Sequence, residues 1–164
     1  MDTAYLHFIF NHFPILGTLF GVCILAIGLL KKDKSLEDAG LVTFVIVAIL
    51  TIPAFLTGEA AEDVAENIEG VSEYFIEQHE ELAEKALWLM MTLGAFSLFA
   101  IIYSKLKKQR ITFVKVIAML VALGIFVLMV FVGNSGGEIR HSEIRKDQGP
   151  DSKVNEKIKH QLNH

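Results

Sequence analysis

Three pieces of the chain combine imidazole with carboxylate at spacings that could do chemistry. In "GNSGGEIRHSEI" (133–144), Glu138 and His141 stand three residues apart, a separation that shares one helix face. In "EQHEELAE", His79 is flanked by Glu77, Glu80 and Glu81, and in "TGEAAED" Glu59, Glu62 and Asp63 follow Gly58. A fourth piece, "LHFIFNHFPI", contributes His7 and His12. Neutral imidazole with carboxylate is a donor set for Zn, Fe or Cu(II), and no thiolate stands nearby to favour Cu(I) or an iron–sulfur cluster. The candidate metal ligands are His12, His79, Glu138 and His141, with His7, Glu59, Glu62 and Arg140 in support. A Glu-x-x-His pair facing carboxylates from other helices is part of the di-metal recipe of four-helix bundles, although only one such pair occurs here. Haem b, held by two of the same histidines, is the alternative cofactor.

The elements that carry these pieces are apolar and long. Hydrophobic residues make up 52% of the 164 residues, and the mean hydropathy is +0.46. Asp, Glu, Lys and Arg are absent from 3–30, 39–58, 86–104 and 116–137. Each run reaches the ~18 residues at which a membrane span becomes the default reading. None shows the polar stripe of a helix in a soluble bundle. The expected fold is therefore all-α, an integral membrane four-helix bundle with spans about 8–30, 39–58, 84–105 and 112–135. The segment 1–145 forms this membrane domain, and 146–164 forms a flexible polar tail. Proline is best tolerated in a first helical turn, so Pro14 predicts that the regular part of span one begins near Phe13. No internal repeat, phosphate loop or nucleic-acid patch is visible, and the net charge of −4 gives no reason to expect nucleic acid.

Charge orients the bundle. Lys31, Lys32 and Lys34 separate spans one and two, and Lys105, Lys107, Lys108 and Arg110 separate spans three and four. The long connection 59–85 carries ten acidic residues and one lysine. Positive-inside logic puts both basic loops in the cytoplasm, and both termini and the acidic segment outside it. The acidic connection reads as an extramembrane helical hairpin, with Val71, Tyr74, Phe75 and Ile76 packing on the bundle mouth. All four helices then deliver His or carboxylate to one outward end. With only small polar groups such as Thr43 and Ser97 in the cytoplasmic halves, a proton path through the chain is not expected. Gly136 and Gly137 are expected to turn the chain sharply and aim Glu138 and His141 back over the bundle mouth. Arg140 would pair with an acid such as Glu59. Gly17 and Gly21, a small-xxx-small pair, suit packing within the chain or dimerisation. Cys23 is the single cysteine and lies mid-span.

The order of these pieces resembles the bacterial membrane proteins grouped as domain of unknown function 2231. The resemblance rests on His7 to Pro14, Thr57-Gly58 with Glu62, His79 opening the third span, and Gly136-Gly137-Glu138 with His141, across nearly all of 4–145. Phe8 follows His7 where the first motif often reads His-Pro. The resemblance implies a four-helix bundle in the bacterial inner membrane with a polar or metal-like centre, in a redox setting. It implies no established reaction. Other membrane redox subunits, or a second copy in a homodimer, are the partners expected besides the lipid bilayer. A non-catalytic small subunit or assembly factor of a membrane complex is the competing reading.

Overall fold

The computed structural model describes residues 3–68, 71–107, 111–141 and 145. Among these described residues six helices follow in order: α1 (Thr3–Phe10), α2 (His12–Lys31), α3 (Lys34–Leu56), α4 (Gly58–Glu66), α5 (Glu73–Lys107) and α6 (Thr112–Arg140). No strand occurs among the described residues. With α1 running into α2 and α3 into α4, four rods are long and apolar enough to cross a membrane: Thr3–Lys31, Lys34–Glu66, Glu73–Lys107 and Thr112–Arg140. Around the bundle, α2 lies between α3 and α6, and α5 lies between the same two on the other side. Helices α2 and α5 run from the end that carries His7 and His79 toward the other end, and α3 and α6 return.

Helix α1 corrects the expectation that regular structure begins near Phe13. Pro14 removes the N–H that would bond Phe10, yet Asn11 keeps helical dihedrals (φ −62°, ψ −22°) and its N–H reaches the His7 carbonyl at 2.9 Å, so helical backbone leads from α1 into α2. Between α2 and α3 the turn is tight. Lys32 adopts the left-handed conformation (φ 55°), and the Asp33 carboxylate accepts from the Ser35 and Leu36 N–H groups at 2.8 and 3.2 Å, capping α3.

Small residues let α2 and α3 approach closely. A Cβ on Gly28 would stand 2.5 Å from the Glu37 nitrogen, and one on Gly40 would stand 2.6 Å from Leu25 Cβ. Gly17 and Gly21 face Val47 and Phe44, so the small-xxx-small pair packs inside the chain. The core of Leu25, Leu41, Phe44, Met90, Leu93, Ala122 and Ile125 is buried, yet Phe20, Ile49, Trp88, Phe99 and Phe131 are exposed on the outside. A bundle apolar within and without is one solvated by lipid. At 1.5 Å per residue α5 is about 52 Å long against a hydrocarbon core of about 30 Å. Its first turns, which carry Glu73, Glu77, Glu80, Glu81 and Glu84, therefore stand clear of the hydrocarbon together with α4. These form the acidic hairpin, anchored by buried Phe75 and Ile76.

The opposite end holds an ionic cluster that the charge-free runs concealed. Lys115 and Glu37 are both completely buried, with Lys115 Nζ 3.1 Å from Glu37 Oε2 and 2.6 Å from Asp38 Oδ1. That end is thus not empty of ionisable groups, as the runs alone had suggested. The two carboxylates sit in the first turns of α3, where the positive end of the helix dipole favours them. The tail expected at 146–164 lies outside the described residues.

Candidate functional site: two imidazoles held by carbonyls

Near the C-terminus of α3 the last carbonyls lack helical donors. One of them, Ala54 O, accepts from His7 Nδ1–H at 2.9 Å. Thr57 Oγ1 also donates to it at 3.2 Å. A carbonyl can only accept, so the neutral His7 ring carries its proton on Nδ1 and presents Nε2 as a lone pair. Gly58 lies beside this ring, where a Cβ would stand 3.8 Å from His7 Cε1.

The same arrangement recurs between α5 and α6. His79 Nδ1–H is shared between the Val132 carbonyl at 3.1 Å and Ser135 Oγ at 3.0 Å, and Ser135 Oγ itself donates to Val132 O at 2.9 Å. Gly136 lies against the ring, where a Cβ would stand 3.1 Å from His79 Cε1. Helix α6 continues through Gly136 and Gly137 to Arg140, so the sharp turn expected at the glycines does not occur. What Gly136 supplies is room for an imidazole. Among the described residues, neither Nε2 of the pair has a hydrogen-bond partner.

The electrostatics of His79 responds to His7. His79 stands outside the hydrocarbon, and its pKa is lowered from the ordinary 6.5, first by burial and then by the charge of His7, partly opposed by the bond to Val132. A charge on His7 therefore disfavours protonation of His79. On α4, the Glu62 carboxyl is held above its usual range, by burial first and then by the charges of Glu80, Glu66, Asp63 and Glu59. Glu80, on α5, adjoins His79 in the chain.

The other expected site residues lie around this pair at varying depth. His12 is exposed, and its Nδ1–H donates to Phe8 O four residues back at 3.2 Å. Glu59 is exposed in the first turn of α4. The Glu138 carboxylate is half-buried and accepts from Asn134 Nδ2 at 2.7 Å. Arg140 and His141 are exposed at the end of α6, and Arg140 makes no ion pair among the described residues. Among the described residues, no group of three or more His, Cys, Asp or Glu side chains is placed to hold one metal ion. A different arginine closes this end. Arg145 donates to the carbonyls of Glu138 (2.8 Å) and Ile139 (3.0 Å), capping α6, while its guanidinium lies 4.4 Å over the Phe75 ring of α5. Sequence reasoning quoted Thr57 without a role and missed Ser135, the hydroxyls on the two acceptor carbonyls. The signal was present as Thr57-Gly58 and Ser135-Gly136, a hydroxyl residue before glycine at the end of two spans.

Four apolar rods, a lipid-exposed apolar surface and polar groups gathered beyond the hydrocarbon define a multi-pass integral membrane protein. The chain belongs to the family of predicted membrane proteins known as DUF2231, whose profile matches residues 4–143. No curated protein and no solved structure matches it significantly.

Proposed function

We propose that the chain binds a transition metal ion, Zn, Fe or Cu, through the Nε2 atoms of His7 and His79, in a redox or metal-handling role. One observation carries this reading. Both imidazoles commit Nδ1–H to a backbone carbonyl of another helix, which fixes tautomer and orientation and leaves Nε2 unpartnered. Metal-ligating histidines are held in this way, by a carbonyl or carboxylate on the other nitrogen. Burial keeps His79 neutral, the state in which it can ligate. Glu62 on α4 and Glu80 beside His79 in the chain supply carboxylates at the same end of the bundle. With two protein nitrogens and no third ligand grouped with them among the described residues, coordination positions would be open to water or an external donor, as in sites that exchange or react rather than merely staple a fold.

Haem b is a second reading, and the number of ligands favours it. Two histidines on different helices are a sufficient axial set, with no third donor needed. In either case the basic loops, on the positive-inside rule, orient the site toward the outer face of a bacterial inner membrane.

The test is elemental analysis and visible absorption of the purified full-length protein. Zn, Fe or Cu near one equivalent per chain, lost in His79→Ala, is the expected result. A Soret band would transfer the site to haem. Neither metal nor haem, with stability unchanged in His7→Ala and His79→Ala, would overturn the proposal and leave a non-catalytic subunit.

A further inference from the structure

His7 and His79 are 72 positions apart in the chain, and their acceptors Ala54 and Val132 are 78 apart. The same interval of 78 separates Thr57 from Ser135 and Gly58 from Gly136, the hydroxyl and the glycine beside each ring. It also separates Lys34 from Thr112, the first residues of α3 and α6, and Glu37 from Lys115, the buried ion pair. Burial repeats with it. All six buried residues of α2, from Pro14 to Gly28, have a buried counterpart 72 positions on in α5, from Ala86 to Ala100. All six buried residues of α6, from Lys115 to Ser135, have a buried counterpart 78 positions back, from Glu37 to Thr57. A shared helical period could align buried faces by itself. It would not bring carbonyl, hydroxyl and glycine together at one offset of 78, each set against a ring that repeats at the 72 of its own helix.

We infer that the chain is two copies of one helical hairpin, α1–α4 and α5–α6, related by a pseudo-two-fold axis along the bundle, and that His7 and His79 are equivalent halves of one site that takes a single metal ion. The order of helices around the bundle obeys this symmetry: exchanging α2 with α5 and α3 with α6 leaves every neighbour unchanged. Parallel repeats about an axis normal to the membrane are a known way of building membrane bundles, with the binding site at the repeat interface. The repeat is hidden because packing conserves volume across the pair rather than residue type. Gly21 matches Leu93, Val22 matches Gly94, and Phe44 matches Ala122, large against small in either direction. Over 4–31 and 34–63 the identities with the second copy are His7/His79, Leu50/Leu128 and Gly58/Gly136, and two of these three are at the site. At the far end the symmetry is broken by charge, Glu37 facing its own counterpart Lys115, as a self-facing position near an axis requires.

This inference rests on the metal reading above, and the experiment separates the two. Full-length protein is stripped of metal in detergent and titrated with Co2+, together with His7→Asn and His79→Asn. Asparagine keeps an N–H at the Nδ1 position for the carbonyl and removes Nε2, so the fold is spared. Shared ligation predicts one Co2+ per chain in the wild type and a loss of affinity of at least about 10-fold, of similar size, in each variant. Two Co2+ per chain, or one ion retained at full affinity in either variant, would leave metal binding intact and overturn the shared site. A wild type that takes up no Co2+ would overturn the metal reading itself.

Discussion

Lys115 Nζ lies 3.1 Å from Glu37 Oε2 in a part of the bundle where both side chains are fully buried. The contact joins α3 to α6, the two helices that supply the acceptor carbonyls Ala54 O and Val132 O at the other end. Each acceptor stands 17 residues beyond its charged partner, so equal lengths of helix separate the ion pair from the two carbonyls.

Removing one partner of such a pair leaves an uncompensated buried charge. Lys115→Met is expected to cost about 3–5 kcal/mol, measured by denaturant unfolding in detergent. The reversal Glu37→Lys with Lys115→Glu should recover at least about half of that loss, because the two residues occupy equivalent places. A double variant no better than Lys115→Met would contradict the equivalence.

Gly136 and Gly58 make a graded comparison. A methyl group at Gly136 meets His79 Cε1 at 3.1 Å and must displace the ring, whereas one at Gly58 reaches His7 Cε1 at an ordinary 3.8 Å. Gly136→Ala should weaken metal affinity by ~10-fold through ring misplacement, and Gly58→Ala by little. Isothermal titration with Zn2+ reads both.

The pH dependence of the metal-free protein follows from His79. Its folded pKa lies below the ordinary 6.5, so the unfolded chain binds the proton more readily. The stability contributed by the neutral ring is complete above 6.5 and is lost as pH falls through 6.5 toward the lower folded value. Thermal unfolding should therefore show a fall in midpoint between about pH 7.5 and about pH 5.5 that is reduced in His79→Asn. An equal fall in both proteins would contradict the assignment.

The four spans and the acidic hairpin were legible because lipid and water sort residues by a pattern that is local in sequence. Phe75 and Ile76 were legible as its anchors for the same reason. The convergence of histidines at one end followed from counting spans. What local pattern could not supply was partnership. Lys115 lies at the edge of a charge-free run, and Glu37 and Asp38 lie between two such runs, so each looked like a loop residue until the fold joined them. His12 was expected as the ligand and His7 as its support, yet it is the His7 ring that meets a carbonyl of another helix, Ala54 O, while His12 bonds within its own turn. The repeat escaped notice because its matched positions trade volume, as Gly21 and Leu93 do, and a search for identity sees only His, Leu and Gly.

The central claim is that the Nε2 atoms of His7 and His79 bind one ion. Pulsed EPR of the Cu2+-loaded full-length protein tests it most directly, because the spectrum counts imidazoles on the metal. Two coupled imidazoles in the wild type, with one remaining in His7→Asn and one in His79→Asn when copper is supplied in excess, is the result expected. A spectrum with no imidazole coupling, or one unchanged by either substitution, would contradict it.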